Sequence, residues 1–200
     1  MSGKTISEKI LSRTSGQDAR AGDLVICAVD CAMGTDGSAP MAIDYFEQMG
    51  GTEVFDPERI IFVMDHYAAS TGTKTTTLHE QMRAFVHQYG IVMHEAGDGI
   101  SHQLMAEMGR ARPGGLVVGA DSHTVTGGAL NAFATGIGSS DLAATMICGR
   151  LWLKVPHTIK VVLEGEMPVE GRWVDRVVGL DDVRVDIARC GPRTTTAGLS

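Results

Sequence analysis

The sequence predicts an α/β domain with a mostly parallel sheet and helices on both faces. Short, wholly apolar runs such as Ile-Ile-Phe-Val-Met at residues 60–64 read as strands buried on both sides, the signature of a parallel sheet. Segments of helical periodicity alternate with those runs from residue 5 to about residue 164. Polar, histidine-bearing stretches follow several of the runs directly, as loops beyond strand ends do.

Each element follows from its residues. Ile6, Ile10 and Leu11 fall at helical spacing over 5–13, and Ser15-Gly16 stops that helix. Residues 23–30, Asp-Leu-Val-Ile-Cys-Ala-Val-Asp, read as one short buried strand. Residues 39–49 read as a helix that tolerates Pro40 in its first turn and ends at Gly50-Gly51. The clearest strand is 60–64, with Asp65-His66 immediately after it. The threonine-rich stretch 71–77 reads as a loop over a site mouth, with Lys74 able to meet an anion. Leu78, Met82, Phe85 and Val86 then form one stripe of a helix over 77–88, stopped by Gly90. A strand at 91–94 leads into Gly97-Asp98-Gly99, and a strand at 116–119 runs into Ala-Asp-Ser-His-Thr at 120–124. A helix over 140–153, with Pro156 beyond its end, and a strand over 158–164 complete the series. The domain is set at 1–167. Residues 168–200 form an atypical tail in which all five basic residues are Arg, as an altered reading frame in GC-rich DNA would give. The chain is accordingly expected to be truncated.

Composition narrows the function classes. The 200 residues carry 17 Lys and Arg against 24 Asp and Glu, a formal net charge of −7, with no basic cluster. Nucleic acid and anionic membrane surfaces are therefore not expected partners. No apolar run reaches membrane-spanning length and the N-terminus lacks a secretory core, so the expected location is the cytoplasm. Cys27, Cys31, Cys148 and Cys190 include no Cys-x-x-Cys, which argues against a disulfide framework or a zinc knuckle. They read as small buried side chains in a reducing compartment, and the 11 methionines as core filler.

Three of the loops after strands carry histidine: Asp65-His66, Asp98-Gly-Ile-Ser-His102-Gln103 and Asp121-Ser-His123. One such histidine is ordinary loop composition; three on corresponding loops, two with an aspartate close by, point to proton transfer. A carboxylate beside an imidazole fixes its tautomer and raises its pKa, which suits delivery of a proton to a leaving group. His79, His87, His94 and His157 read as structural. Gly136-Ile-Gly-Ser-Ser-Asp lacks the Gly-Lys-Ser/Thr ending of a phosphate loop, although the following helix start suits a carboxylate. His66, His102 and His123 as a mononuclear metal site lack a close ligand pair such as His-x-x-x-His, so no residue is assigned to a metal.

These motifs, with Ala134-Thr-Gly-Ile-Gly-Ser-Ser-Asp141, Lys154-Val-Pro-His-Thr-Ile-Lys160 and the opening Thr-Ile-Ser-Glu-Lys-Ile-Leu, resemble the aconitase superfamily. The likeness is closest to the large subunits of 3-isopropylmalate dehydratases and homoaconitases, and covers roughly residues 4–167. It implies a hydro-lyase that isomerises a hydroxy di- or tricarboxylic acid by dehydration and rehydration, as in leucine biosynthesis. It also implies a [4Fe-4S] cluster and a small, swivel-domain partner subunit supplying the proton-abstracting serine and substrate-binding arginines. Carried over by position, Asp65 and His66 protonate the departing hydroxyl, Asp121 orients His102, and Ser122 and His123 meet substrate, with Asp36 among the substrate contacts. Departures accompany the matches. Thr35 stands where relatives usually have His or Gln, and no cysteine occupies a cluster-ligand position. The chain alone is therefore expected to be inactive, and the alternative reading is a non-catalytic remnant that binds carboxylates or a partner subunit.

Overall fold

The computed structural model describes residues 3–70 and 72–159. Helix α1 (Ile6–Ser15) is started by a reciprocal cap: Glu8 N–H donates to Thr5 Oγ1 at 3.2 Å, and Thr5 N–H donates to Glu8 Oε2 at 2.8 Å. Strand β1 (Leu24–Ala28) does not join the main sheet. It pairs antiparallel with β7 (Arg150–Lys154), Ile26 opposite Trp152. The main sheet consists of β2 (Cys31–Thr35), β3 (Ile60–Val63), β4 (Val92–His94), β5 (Leu116–Gly119) and β6 (Phe133–Gly136), in the order β4-β3-β2-β5-β6. Every pairing within it is parallel.

Alternate side chains on these strands enter two separate cores. Ala32, Ile60, Phe62, Leu116 and Val118 pack against α2 (Ala39–Gln48), α3 (Thr73–Tyr89) and α5 (Ser139–Cys148) through Ile43, Phe46, Met82, Phe85, Leu142 and Met146. Cys31, Met33, Ile61, Val63 and Val117 point the other way, against Met105 of α4 (Ser101–Glu107), Ala111 and Ala132. Helices thus cover both faces, as expected of a parallel sheet. Gly34 on the central strand permits the close approach of α2 and α5, since a Cβ there would lie 3.0 Å from Ala39 Cβ and 3.1 Å from Leu142 Cδ2.

Four local expectations need correction. Residues 23–30 are not one strand: β1 ends at Ala28 and the chain enters β2, whose Cys-Ala-Met-Gly-Thr run is too small-sided to stand out although all five residues are buried. The helix expected over 140–153 stops at Cys148, where Gly149 adopts φ 66° and releases the chain into β7. The 71–77 stretch is not a free loop, because α3 begins at Thr73. Helix α4 and strand β6 emerge from stretches read only as motif. The expected strand over 158–164 extends beyond the described residues, as does the tail. Among the described residues no helix is long and apolar enough to cross a membrane.

The topology positions the site. From β2 the chain proceeds outward to β3 and β4, then returns to β5 on the other side of β2 and continues to β6. Loops leaving β2 and β5 therefore diverge, opening a crevice at the carboxyl edge of the sheet where side chains from several strands converge.

Candidate active site

Three aspartates stand at that edge, one after each of β2, β3 and β5. Asp36 is fully buried. Its Oδ1 accepts His66 N–H at 2.9 Å, and its Oδ2 accepts Tyr67 N–H at 3.0 Å and the Nε2 of His79 at 2.9 Å. It thereby holds the turn that leaves β3. Asp65 begins that turn, taking Ser101 N–H on Oδ2 at 2.8 Å and contacting His66 Nδ1 through Oδ1 at 2.7 Å. Burial alone would raise the Asp65 pKa; the Ser101 N–H and the His66 ring outweigh it and hold the carboxyl below its usual range.

Asp121 gathers three histidines. It caps the 3-10 segment Ser122–Leu130 by accepting His123 N–H at 2.7 Å, which fixes its carboxylate. His102 Nε2 from the first turn of α4 lies 2.8 Å from Oδ1, His123 Nδ1 lies 3.4 Å from Oδ1, and His66 Nε2 lies 3.3 Å from Oδ2. Desolvation again works against ionisation, and the His123 N–H with the His102 ring overcomes it, so Asp121 stays below its ordinary value.

His66 is consequently bridged by two carboxylates, one at each ring nitrogen. Only the imidazolium donates on both sides, so Asp65 foremost, and Asp121 with it, raise the His66 pKa against the desolvation that opposes them. The two contacts differ in length. The Nδ1 side is short at 2.7 Å, whereas the Nε2 side is long at 3.3 Å and the ring is 40% exposed. The two carboxylates thus favour the protonated ring, part of which faces solvent.

The structure brings Asp65, His66, His102, Asp121 and His123 into one cluster, with His123 outermost at 79% side-chain exposure. Ser122 is exposed beside it and lines an open cleft of about 860 Å³ with Asp121, Gly138 and Asp141. Asp36 lies beneath the cluster with both oxygens committed to N–H donors. Two participants went unrecognised as such in the sequence. Ser101 fixes Asp65 through its backbone, which no side-chain pattern reveals. The sequence reading of His79 is structural, and its placement three residues before Met82, on the buried side of α3, is the signal it offers: a polar residue at a core position.

Metal and cluster binding can be tested against these donors. His102, Asp121 and His123 offer atoms within 4.8 Å of one another, as do Asp36, Asp65 and His66, and both sets consist of imidazole and carboxylate donors alone. Thiolates for an iron–sulfur cluster are a different matter. Cys27 is buried in β1, and Cys31 lies at the amino end of β2, away from the aspartates, with burial pushing its pKa up to about 12. Cys148 is exposed, contrary to expectation, at the end of α5 opposite the site, where its thiol donates to Arg150 O. Among the described residues no thiolate set fits a cluster at this site. Cys190 lies outside them.

The sequence model of the aconitase family (aconitate hydratase) matches residues 8–178, past the point where the likeness read from motifs ends. A 3-isopropylmalate dehydratase large subunit 1 of Methanopyrus kandleri is 46% identical over 177 residues, 88% of this chain and 42% of that protein. Its counterpart in Thermotoga maritima is 46% identical over 165 residues, 82% of this chain and 39% of the relative. The 3-isopropylmalate dehydratase large subunit of Aquifex aeolicus is 44% identical over 191 residues, 94% of this chain and 43% of the relative. The chain thus spans about two fifths of the length of these curated relatives.

Proposed function

The chain belongs to the aconitase family, and from that premise we propose that it is the N-terminal portion of the large subunit of a 3-isopropylmalate dehydratase-type hydro-lyase. The observation that carries this reading is the His66 ring held between Asp65 and Asp121 at the mouth of the crevice. The substrate is a small hydroxy di- or tricarboxylic acid. The working enzyme, in a reducing compartment such as the cytoplasm, pairs with a small subunit and uses a [4Fe-4S] cluster whose thiolates come from outside the described residues.

In this proposal the long Nε2 contact identifies the transferable proton. A substrate hydroxyl approaching from the cleft competes with Asp121 for the Nε2 proton, while Asp65 keeps the Nδ1 proton in the shorter bond. As the carbon–oxygen bond breaks, the hydroxyl takes the Nε2 proton and departs as water. The bonding electrons leave with that oxygen, and His66 remains as the neutral tautomer protonated at Nδ1. The proton on the adjacent carbon goes to a base outside these residues, supplied by the partner subunit, which completes the double bond. Rehydration reverses the steps. Asp121, which lines the cleft with Ser122, holds His102 and His123, and in this reading these side chains meet substrate carboxylates or water. Asp36 takes a different part from the substrate contact that the resemblance implied: its buried carboxylate supports the Asp65-His66 turn from below.

Addition of 3-isopropylmalate to the isotopically labelled chain tests the reading. The imidazole signals of His66, His102 and His123 are expected to move together and those of His87 to stay fixed. Unchanged site signals at millimolar ligand would overturn it. Carboxylate binding without turnover is the second reading, favoured by the lack of a fitting thiolate set among the described residues. Anaerobic reconstitution with iron and sulfide is expected to give no [4Fe-4S] absorbance on this chain alone.

A further inference from the structure

We infer that His79 is a positioning residue for His66, acting through Asp36. The inference takes the proposed role of His66 as its setting, but the contacts stand independently of it. His79 projects from α3 on the same side as Met82 and is itself buried, 8% exposed. An aliphatic side chain would satisfy that packing position without desolvating an imidazole beside a carboxylate. What the imidazole contributes instead is a donor, 2.9 Å from Asp36 Oδ2.

Asp36 needs that donor because of what its other contacts hold. After Met64, whose N–H reaches His94 O, the next two backbone donors with a described partner are His66 N–H and Tyr67 N–H, and both go to Asp36. One carboxylate therefore ties the exit of β2, the exit of β3 and helix α3 at a single point. Two adjacent backbone donors set the plane of the carboxylate, and the third, approaching from the helix, prevents its rotation. With the plane fixed, the backbone of His66 is fixed, and its ring spans Asp65 and Asp121. Released from His79, Asp36 can turn toward either backbone donor alone, and the His66 ring loses the long contact to Asp121 first. His79 touches no reacting atom in this account. It sets where His66 stands.

The test compares the chain with His79→Leu and His79→Gln variants by amide exchange and by the ring-nitrogen resonances of labelled histidine. In His79→Leu the His66 and Tyr67 amides are expected to exchange at least tenfold faster. The His66 ring should shift toward its neutral form at the same pH, while amides of α5 such as Leu142 keep their protection. His79→Gln retains an N–H donor and is expected to restore both signals. Wild-type exchange and ring signals in His79→Leu would overturn the inference. So would a Gln variant indistinguishable from the Leu variant, since the imidazole would then act by filling space. Where His79→Leu does not fold, His79→Asn, polar but too short to reach Asp36, is read on the same amides. None of these readouts involves turnover or ligand. Failure of the dehydratase reading alone would appear as absent ligand shifts with the amide results intact.

Discussion

Two aspartates bracket the same strand and do opposite work. Asp30 precedes β2 at the amino edge of the sheet, and its Oδ2 accepts Arg13 Nη2 at 2.6 Å and Leu116 N–H at 2.8 Å. Asp36 follows β2 at the carboxyl edge and accepts two backbone N–H groups and an imidazole. The pattern extends beyond this pair. At the amino edge arginine is the partner: Arg59 meets Asp56, and Arg110 donates to Glu58 O. At the carboxyl edge Arg83 pairs with Glu95 beyond β4, but the partners of the three site aspartates are His66, His79, His102 and His123. A guanidinium does not give up its proton near neutral pH, whereas an imidazole does. One edge of the sheet is therefore fastened by fixed charge, and the other is equipped to move a proton.

The largest test of this difference is truncation of the two aspartates. Asp36→Ala strands three donors around a fully buried position and is expected to cost roughly 3–5 kcal/mol of unfolding free energy. Asp30→Ala leaves one backbone donor short, and the half-exposed Arg13 returns to water, so about 1–2 kcal/mol is expected. Urea denaturation of both variants measures the gap, and equal losses would break the comparison. A smaller effect is expected at Gly136, where a Cβ would stand 2.8 Å from Asp121 O. Gly136→Ala must push that backbone away, at a cost of roughly 1–3 kcal/mol. Ring signals of His102 and His123 should move while the Arg13–Asp30 end stays unchanged.

How far the sequence disclosed this division depended on the residue. The clearest strand at 60–64 and the stripe through Met82 and Phe85 were legible because apolar side chains repeat at the period of the element that buries them. Strand β2 was hidden, although it is the central strand, because alanine and glycine bury without raising hydropathy. The boundary at Cys148 was hidden because the strand after it continues the apolar run, and only Gly149 marks the change. At the site, histidines after strands were legible by position along the chain. Convergence of three rings on Asp121 was not, since it requires the order β3-β2-β5, which no local pattern encodes. Asp36 and His79 stand 43 residues apart, and nothing short of the fold joins them.

The smallest effect separates the edges by pH. The His66 pKa is raised in the folded chain, so its contribution to stability is full below the unfolded value of about 6.5 and is lost as pH rises through the folded value. Asp65 and Asp121 are depressed, so theirs is present above about 3.9 and lost as pH falls through their folded values. Between these limits the imidazolium and both carboxylates are charged together, and the cluster is at its most stable. With the ring 40% exposed, solvent screening holds the His66 share below about 1 kcal/mol. His66→Gln is therefore expected to lose more stability at about pH 5.5 than at about pH 8.5, on either side of the unperturbed histidine value. Arg13→Ala should cost up to about 1 kcal/mol and the same at both, because this pair contains no imidazole. Paired urea midpoints for the two variants decide the matter. A flat His66→Gln difference would mean that the ring carries no extra proton in the folded chain. A sloped Arg13→Ala difference would mean that the amino edge titrates too, and the division between the two edges would fail.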